Sequence, residues 1–596
     1  MERRNDGAVI LRSPQPLRKH PTNLSCLLFH WAARTPKQVF LAERDPHGRW
    51  RTLSYAEAAR GASSVAQALI DRGLDQSRMV MVLSGNGIGH ALMMLGAFLA
   101  RVPICPVSPA YSLLSTDYGR LEHIYRLIEP ALLYVASFDA FRPALEALDL
   151  AGAELVCSSG LPEGAPGTPF SELLAAVPTT EVRRRAESVS PAHVAKILFT
   201  SGSTAQPKGV VNTYGMLSSN QQMLRQCWRL LEHTAPVLLD WLPWHHTFGG
   251  NHNFNMVLRN GGTLFVDDGR PTAALIERTV ANLREVSPNM YFSVPAGYAM
   301  LLPYLEKDDE LARSFLRELR FVFNAAAALS QDIWDRLAHL SIAHLGTRIP
   351  LTSGWGCTET APLATTAHFP VDRADVIGLP VAGVEVKLAP VAGKLELRVR
   401  GPNVTPGYYK APDLTGDAFD DEGFYRTGDA GRLLDPEAPE KGLVFDGRLA
   451  ENFKLGTGTW VHVGVLRTAV LAACAPVLHD LVVCGEDRDQ VGILAWPNVS
   501  ACRDLVGRDG AADPVSHARA PEVVEAVLQG IGAHNTTHPG ASKRIARVHL
   551  MVEPPSIDAN EITDKGYINQ RAVLERRVDL VHRLFADPPG PDVMVC

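Results

Sequence analysis

Residues 197–211, Ile-Leu-Phe-Thr-Ser-Gly-Ser-Thr-Ala-Gln-Pro-Lys-Gly-Val-Val, gather the groups best suited to chemistry in this chain. A hydrophobic strand runs into a loop of small hydroxylated residues and glycine, carries one lysine, and ends in a second short strand. Uncovered backbone N–H groups, several hydroxyls and one ammonium can together wrap a polyphosphate. A Walker loop places Gly before its lysine and Ser or Thr after it, whereas Lys208 stands between Pro207 and Gly209. Taken alone, such a loop also fits an ordinary Gly/Ser turn, so the other reactive segments decide. They are residues 241–249 (Trp-Leu-Pro-Trp-His-His-Thr-Phe-Gly), 354–360 (Gly-Trp-Gly-Cys-Thr-Glu-Thr), 425–429 (Tyr-Arg-Thr-Gly-Asp), Gly447-Arg448 with Lys454, and 561–566 (Glu-Ile-Thr-Asp-Lys-Gly).

In this order the segments resemble those of the adenylate-forming superfamily: acyl-CoA synthetases, the adenylation domains of peptide synthetases, and luciferases. The resemblance runs from about residue 190 to 570. It implies that a carboxylate attacks the α-phosphorus of ATP and expels pyrophosphate. A thiol, usually that of CoA, then attacks the mixed anhydride and expels AMP. Charge moves along the triphosphate, so positioned cations and dipoles should supply much of the catalysis. Carried onto this sequence, the resemblance gives the β- and γ-phosphates to Thr200, Ser201, Gly202, Ser203, Thr204, Lys208 and Gly209. Thr358 and Glu359 become contacts of phosphate and Mg²⁺, a hard cation that takes one or two carboxylates plus substrate phosphates. Trp355 would stack on adenine. Asp429 would accept both ribose hydroxyls, and Arg448 would meet the ribose or the α-phosphate. His246 would stand beside the acid pocket, and Lys565 would bridge the acid's carboxylate and the α-phosphate. Each has a plainer reading: a helix start for Thr358-Glu359, a core ring for Trp355, a surface pair for Asp429 and Arg448, a solvated lysine for Lys565.

Two segments depart from the usual pattern. The common form around the C-terminal lysine is Thr-x-Gly-Lys, but here Thr563-Asp564-Lys565-Gly566 sets an acid beside it. The hinge normally has Asp shortly after Gly-Arg, then Lys-x-x-Gly. This chain has Ala450 and Glu451 at the pivot, and Lys454, Gly456 and Gly458 follow as candidates to line a CoA channel, because glycine lets a backbone approach closely. Rotation there would bring Lys565 in for adenylation and then open the channel.

The same two stretches, residues 451–461 and 557–571, look like those of bacterial feruloyl-CoA synthases, which activate hydroxycinnamates. Small Ala325, Ala326 and Ala327 with Gly354 would leave a slot, walled by Trp244, His246, Phe248 and Tyr298. An aryl acid fits, as would a benzoic or medium-chain fatty acid. An amino-acid activator would need an acid for the substrate amine, and Asp240 lies where one is kept. A nucleotide-binding protein without turnover is the remaining alternative. His245, His246 and His252 have no fourth ligand at zinc spacing.

These segments need a scaffold. Helical spacing over residues 54–72 alternates with short apolar runs at 79–83, 102–107, 131–135, 154–156, 238–241, 262–266 and 290–294, and residues 89–100 read as a buried helix. The pattern predicts layered α/β sheets in a large N-terminal domain, residues 1–447, with a β-rich subdomain after Gly378. A smaller, mobile α+β domain, residues 448–596, would carry the catalytic lysine. Its last helix is expected over 568–585, with Val573, Leu574, Val578, Val581 and Phe585 on one face. With 596 residues, two domains are expected. Hydrophobic residues make up 46% and the net charge is −6, which gives no footprint for nucleic acid or an anionic membrane. Nine scattered cysteines without C-x-x-C spacing, and an N-terminus without a signal peptide or anchor, fit a cytoplasmic enzyme using ATP, Mg²⁺ and CoA.

Overall fold

The computed structural model describes residues 1–200, 206–391, 393–507, 519–563 and 566–596, and the chain falls into two compact units. The first holds residues 1–391, 397–427 and 433–444. Its mixed α/β fold is the one expected from the alternation of periods. Ser54 starts the first long helix, Tyr55–Asp71, through a reciprocal cap: its backbone N–H donates to Glu57 Oε2 at 2.8 Å, and its Oγ accepts from Glu57 N. The apolar run after Gly87 is the helix Ile88–Ala100, nearly all of it buried. Among the described residues no helix is long and apolar enough to cross a membrane.

A seven-stranded sheet carries the phosphate-loop segment. Its central strands Val80–Leu83, Ile104–Val107, Leu132–Val135 and Glu154–Cys157 run parallel, and their uniform apolar character reflects burial on both faces. Val194–Thr200 joins parallel to Ile104–Val107, and Lys208–Thr213 returns antiparallel, with Thr200 opposite Lys208. Val237–Asp240 and Thr263–Val266 belong to a second, four-stranded sheet. A third sheet of eleven strands begins with parallel Met290–Ser293, Phe321–Asn324 and Leu351–Gly356. The alternating strands expected as a β-rich subdomain, Glu385–Val391 and Lys394–Arg400, extend this same sheet.

The second unit holds residues 393–396, 428–432 and 445–596, and so includes Asp429. Its four-stranded sheet, ordered Leu478–Cys484, Val491–Pro497, Ile545–Leu550, Val593–Val595, is covered on both faces. The period of two sorts its residues: Leu481, Val483, Ile493 and Val548 enter one core, while Val482, Cys484, Leu494 and Trp496 enter the other. The single helix expected over 568–585 is two, Gln570–Arg576 and Val578–Leu584. Arg577 leaves helical geometry between them (φ −102, ψ 30) because its guanidinium turns inward to a buried carboxylate. Val578, expected on the apolar face, is consequently exposed.

Candidate active site

Lys208 opens the return strand, and segment 405–409 fastens that strand in place. Val211 N donates to Gly407 O (3.1 Å), Tyr409 N to Gly209 O (2.8 Å), and Thr405 Oγ1 to Val211 O (2.6 Å). Lys208 Nζ thereby lies 4.8 Å above the ring of Tyr408. The same tyrosine donates its hydroxyl to Glu359 Oε1 at 3.0 Å and meets Tyr425 Oη at 3.1 Å. Burial, with the Glu359 charge next, pushes both phenols well above their ordinary range, so they stay neutral donors.

Glu359 sits in the single turn Thr358–Thr360 after the strand Leu351–Gly356. The turn is pinned by Thr405 N to Glu359 O (2.8 Å) and by Asn403 Nδ2 to Thr360 O (2.7 Å). Gly356 is required here: a Cβ would stand 1.8 Å from Pro362 O. Thr358 and Glu359 are both buried, and Trp355 lies on the same strand, 8% exposed. One buried carboxylate with a neighbouring hydroxyl fits the few protein oxygens that Mg²⁺ takes beside phosphates. When bound, that ion supplies charge to the polyphosphate. Thr358 and Glu359 are the residues that would hold it.

Of the loop itself, Thr200 ends its strand and Gly209 follows Lys208. Ser201, Gly202, Ser203 and Thr204 lie outside the described residues, as does Lys565. His246 precedes a π-helical segment, Thr247–Asn253, and its Nδ1 accepts from Phe248 N (3.3 Å).

Of the predicted pocket walls, Phe248, Gly354 and Tyr298 each meet Phe323. Phe248 contacts His252 and Phe323, and Gly354 packs against Phe323. Trp244 is fully buried against His90 and Phe254, and Tyr298 is buried with its hydroxyl on Phe323 O at 2.6 Å. Ala325 is half-buried, while Ala326 and Ala327 are exposed. Asp240 is buried with both oxygens engaged, by Leu242 N (2.9 Å) and Asn253 Nδ2 (2.8 Å), so it is committed within the protein.

In the second unit Asp429 Oδ1 lies 3.6 Å from Arg448 Nε, the arginine being 67% exposed. Ala450 and Glu451 form a short turn, Leu449–Glu451, and Lys454 Nζ covers the Trp460 ring at 5.1 Å. Gly456 N donates to Arg488 O (2.8 Å), and Gly458 (φ +80) closes the turn between Phe453–Lys454 and Trp460–Val461, a conformation that favours glycine.

Sequence reasoning missed Tyr408, Tyr425 as a partner, and the segment 405–409. The only sequence signal is Pro406-Gly407 before two tyrosines, which reads as a turn. Removing the Tyr408 hydroxyl tests the arrangement. Tyr408→Phe loses one hydrogen bond to a charged group, about 1.5 kcal/mol, and should lower kcat about tenfold in steady-state AMP release. Asp240 yields a pH prediction. Burial raises its carboxyl from the usual 3.8 to about 7, the bonds from Asn253 and Leu242 opposing. Its protonated form therefore contributes stability that is full below about pH 4 and lost as pH rises through 7. Asp240→Asn removes that slope, so its thermal midpoint should gain on wild type progressively between pH 4 and 8.

The ammonium of Lys208 and the buried carboxylate of Glu359 thus meet on Tyr408 within an α/β fold. The AMP-binding enzyme profile matches residues 28–409, and the chain belongs to that family. It is 28% identical over 266 residues to a hop (Humulus lupulus) protein named as a probable CoA ligase, a match of 41% of this chain and 42% of that one, less than half the relative's length. A 4-coumarate–CoA ligase of Narcissus pseudonarcissus is 25% identical over 403 residues, 65% of this chain and 69% of the relative. ATP-bound MatB from Rhodopseudomonas palustris shares the fold, with a TM-score of 0.68, 20% identity, and coverage of 94% and 99%.

Proposed function

We propose that this protein is an AMP-forming acid–thiol ligase that joins a hydroxycinnamic, ferulate-like acid to CoA through an acyl-adenylate. The observation that carries the reading is Lys208 and Glu359 gathered on one tyrosine, Tyr408, at the exit of the phosphate loop. Membership of the AMP-binding family supports the nucleotide chemistry, and similarity to named CoA ligases supports thiol transfer. Lys208 and the loop hydroxyls hold the phosphates, Thr358 and Glu359 hold Mg²⁺, Trp355 stacks on adenine, and Asp429 and Arg448 hold the ribose. His246 borders the acid, Lys565 neutralises charge building between carboxylate and α-phosphate, and residues 450–458 serve as hinge and CoA passage.

The flat ring is supported by the aromatic side chains next to His246, with Phe248 against His252 and Phe323. An amino acid is a poorer candidate, because Asp240 is buried and each of its carboxylate oxygens already accepts within the protein, from Leu242 and Asn253. The test is AMP and thioester formation from ATP, Mg²⁺ and CoA with ferulate, p-coumarate, caffeate, benzoate, octanoate and several amino acids. Preference for hydroxycinnamates with AMP matching thioester supports the reading. Preference for octanoate or benzoate overturns the substrate, and absence of AMP with every acid overturns the activity.

A further inference from the structure

His252 is 1% exposed and enclosed by aromatic rings. It stacks on Phe323 (5.4 Å between centroids, 21°) and meets Trp228, Phe248 and Phe292 edge-on at 5.4–5.6 Å. Burial, the largest influence, lowers its pKa to about 4, so the ring is neutral. Its Nδ1 lies 2.7 Å from Asn253 Oδ1, while Nε2 has no hydrogen-bond partner among the described residues. Among the other buried side-chain oxygens without a partner in the described residues are Ser293 Oγ and Asn324 Oδ1. They end the parallel strands that supply Phe292 and Phe323, at the carboxyl edge where α/β sheets receive ligands. A buried polar atom without a partner needs an explanation, and a ligand atom is one.

The hydrogen bonds decide what kind of atom His252 awaits. Leu242 N–H takes Asp240 Oδ1, and Asp240 Oδ2 accepts from Asn253 Nδ2, the only role open to it whenever the carboxylate is ionised. Asn253 must therefore turn its NH₂ to Asp240 and its carbonyl oxygen to His252. Nδ1 of His252 must then carry the proton, which leaves Nε2 as a bare lone pair. We propose that the chain Asp240–Asn253–His252 sets the polarity of the acid pocket, so that His252 Nε2 accepts a hydrogen bond from an O–H group on the end of the acid remote from its carboxylate. This rests on the aryl-acid reading above.

The polarity is reversible. If residue 240 offers a donor on its Oδ2 side, Asn253 turns over, its NH₂ faces His252 Nδ1, and Nε2 becomes an N–H. Asp240→Asn does this with almost no change of shape, because Leu242 N–H still requires the amide oxygen and directs the new NH₂ at Asn253. Protonation of Asp240 does the same, and its pKa near 7 makes both states reachable. The ionisable groups around it are Asp267, whose carboxyl burial also raises, and Tyr291 and Tyr298, both pushed up by burial and neutral.

The experiment compares kcat/KM for 4-hydroxycinnamate and 4-methoxycinnamate, a donor and an acceptor at the same position, in wild type and Asp240→Asn. Wild type should favour the hydroxyl at least tenfold. The variant should shift the ratio at least tenfold towards the ether, and wild type should drift the same way between pH 8 and 6. Any steric effect of the methyl group is common to both proteins and cancels in the ratio. Independently of turnover, ¹⁵N NMR of histidine-labelled protein, with His252 assigned by the signal lost in His252→Gln, should give an Nδ1-protonated ring in wild type and an Nε2-protonated ring in Asp240→Asn. If aryl acids are activated but the ratio stays within threefold, or the tautomer does not change, this inference falls and the ligase reading stands. If no aryl acid yields AMP, both fall.

Discussion

Replacing Lys565 with alanine is expected to slow acyl-adenylate formation about a thousandfold while a preformed adenylate still reacts with CoA at near the wild-type rate. Negative charge builds between the attacking carboxylate and the α-phosphate only in the first half-reaction. An ammonium about 4 Å away at an effective dielectric near 20 contributes on the order of 4 kcal/mol, which converts to roughly that factor in rate. Among the described neighbours, Ile562 and Ile568 are bridged, Thr563 N donates to Tyr567 O at 2.8 Å, and Gly566 takes φ +81. Single-turnover AMP formation from ATP and acid, beside thioester formation from synthetic adenylate, separates the halves. Adenylation within a few-fold of wild type would remove Lys565 from its assigned role. Asp429→Ala should instead impair both halves, since AMP is held throughout.

The scaffold was legible wherever a local period decides it. The strands Val80–Leu83, Leu132–Val135 and Met290–Ser293 fall within a residue or so of their apolar runs, and Ser54 with Glu57 announces the cap of the first long helix. The strands flanking the loop, Val194–Thr200 and Lys208–Thr213, were legible too, whereas the phosphate reading of the loop between them drew on the segments that follow it in order. What escaped is set by polar contacts far apart in sequence. Tyr408 reaches Glu359 across 49 residues, and Thr405 reaches Val211 across 194. Nothing local to Pro406-Gly407 signals either contact. Asp240 entered only under the less favoured amino-acid alternative, as an acid near the place of an amine anchor; the hydrogen bond from Asn253 to its carboxylate is a contact that no local pattern signals. Hydrophobic spacing likewise passed straight over Arg577, since a pattern of apolar positions cannot register a cation that breaks a helix to go inside.

That arginine carries the largest stability prediction. Arg577 and Glu561 form a two-pronged pair, Nε to Oε1 at 2.6 Å and Nη2 to Oε2 at 2.9 Å, with Glu561 wholly buried and the arginine side chain 5% exposed. Burial alone would raise the Glu561 carboxyl, but the hydrogen bond from Arg577, with those of the Ser556 N–H and the charge of Arg576, brings it below the usual carboxylate range. Arg577 also donates to Glu553 O and Pro554 O. Replacing Arg577 with methionine leaves a buried carboxylate facing only the half-exposed Arg576 and the Ser556 N–H, a change worth about 3–5 kcal/mol of unfolding free energy. The double variant Arg577→Met, Glu561→Leu removes both charges together and should recover most of that loss, because the penalty lies in the unpaired ion more than in the missing pair. Denaturant unfolding of the full chain, followed by Trp496 fluorescence in the second unit, measures all three proteins. Equal midpoints for wild type and Arg577→Met would mean that Glu561 finds water or a proton at little expense. The pair also bears on chemistry, since Glu561 stands four residues before Lys565 and its backbone oxygen accepts from Asn569 N at 2.8 Å. Where Arg577→Met remains folded, adenylation should therefore fall further than thioester formation, following the half-reaction that needs the lysine.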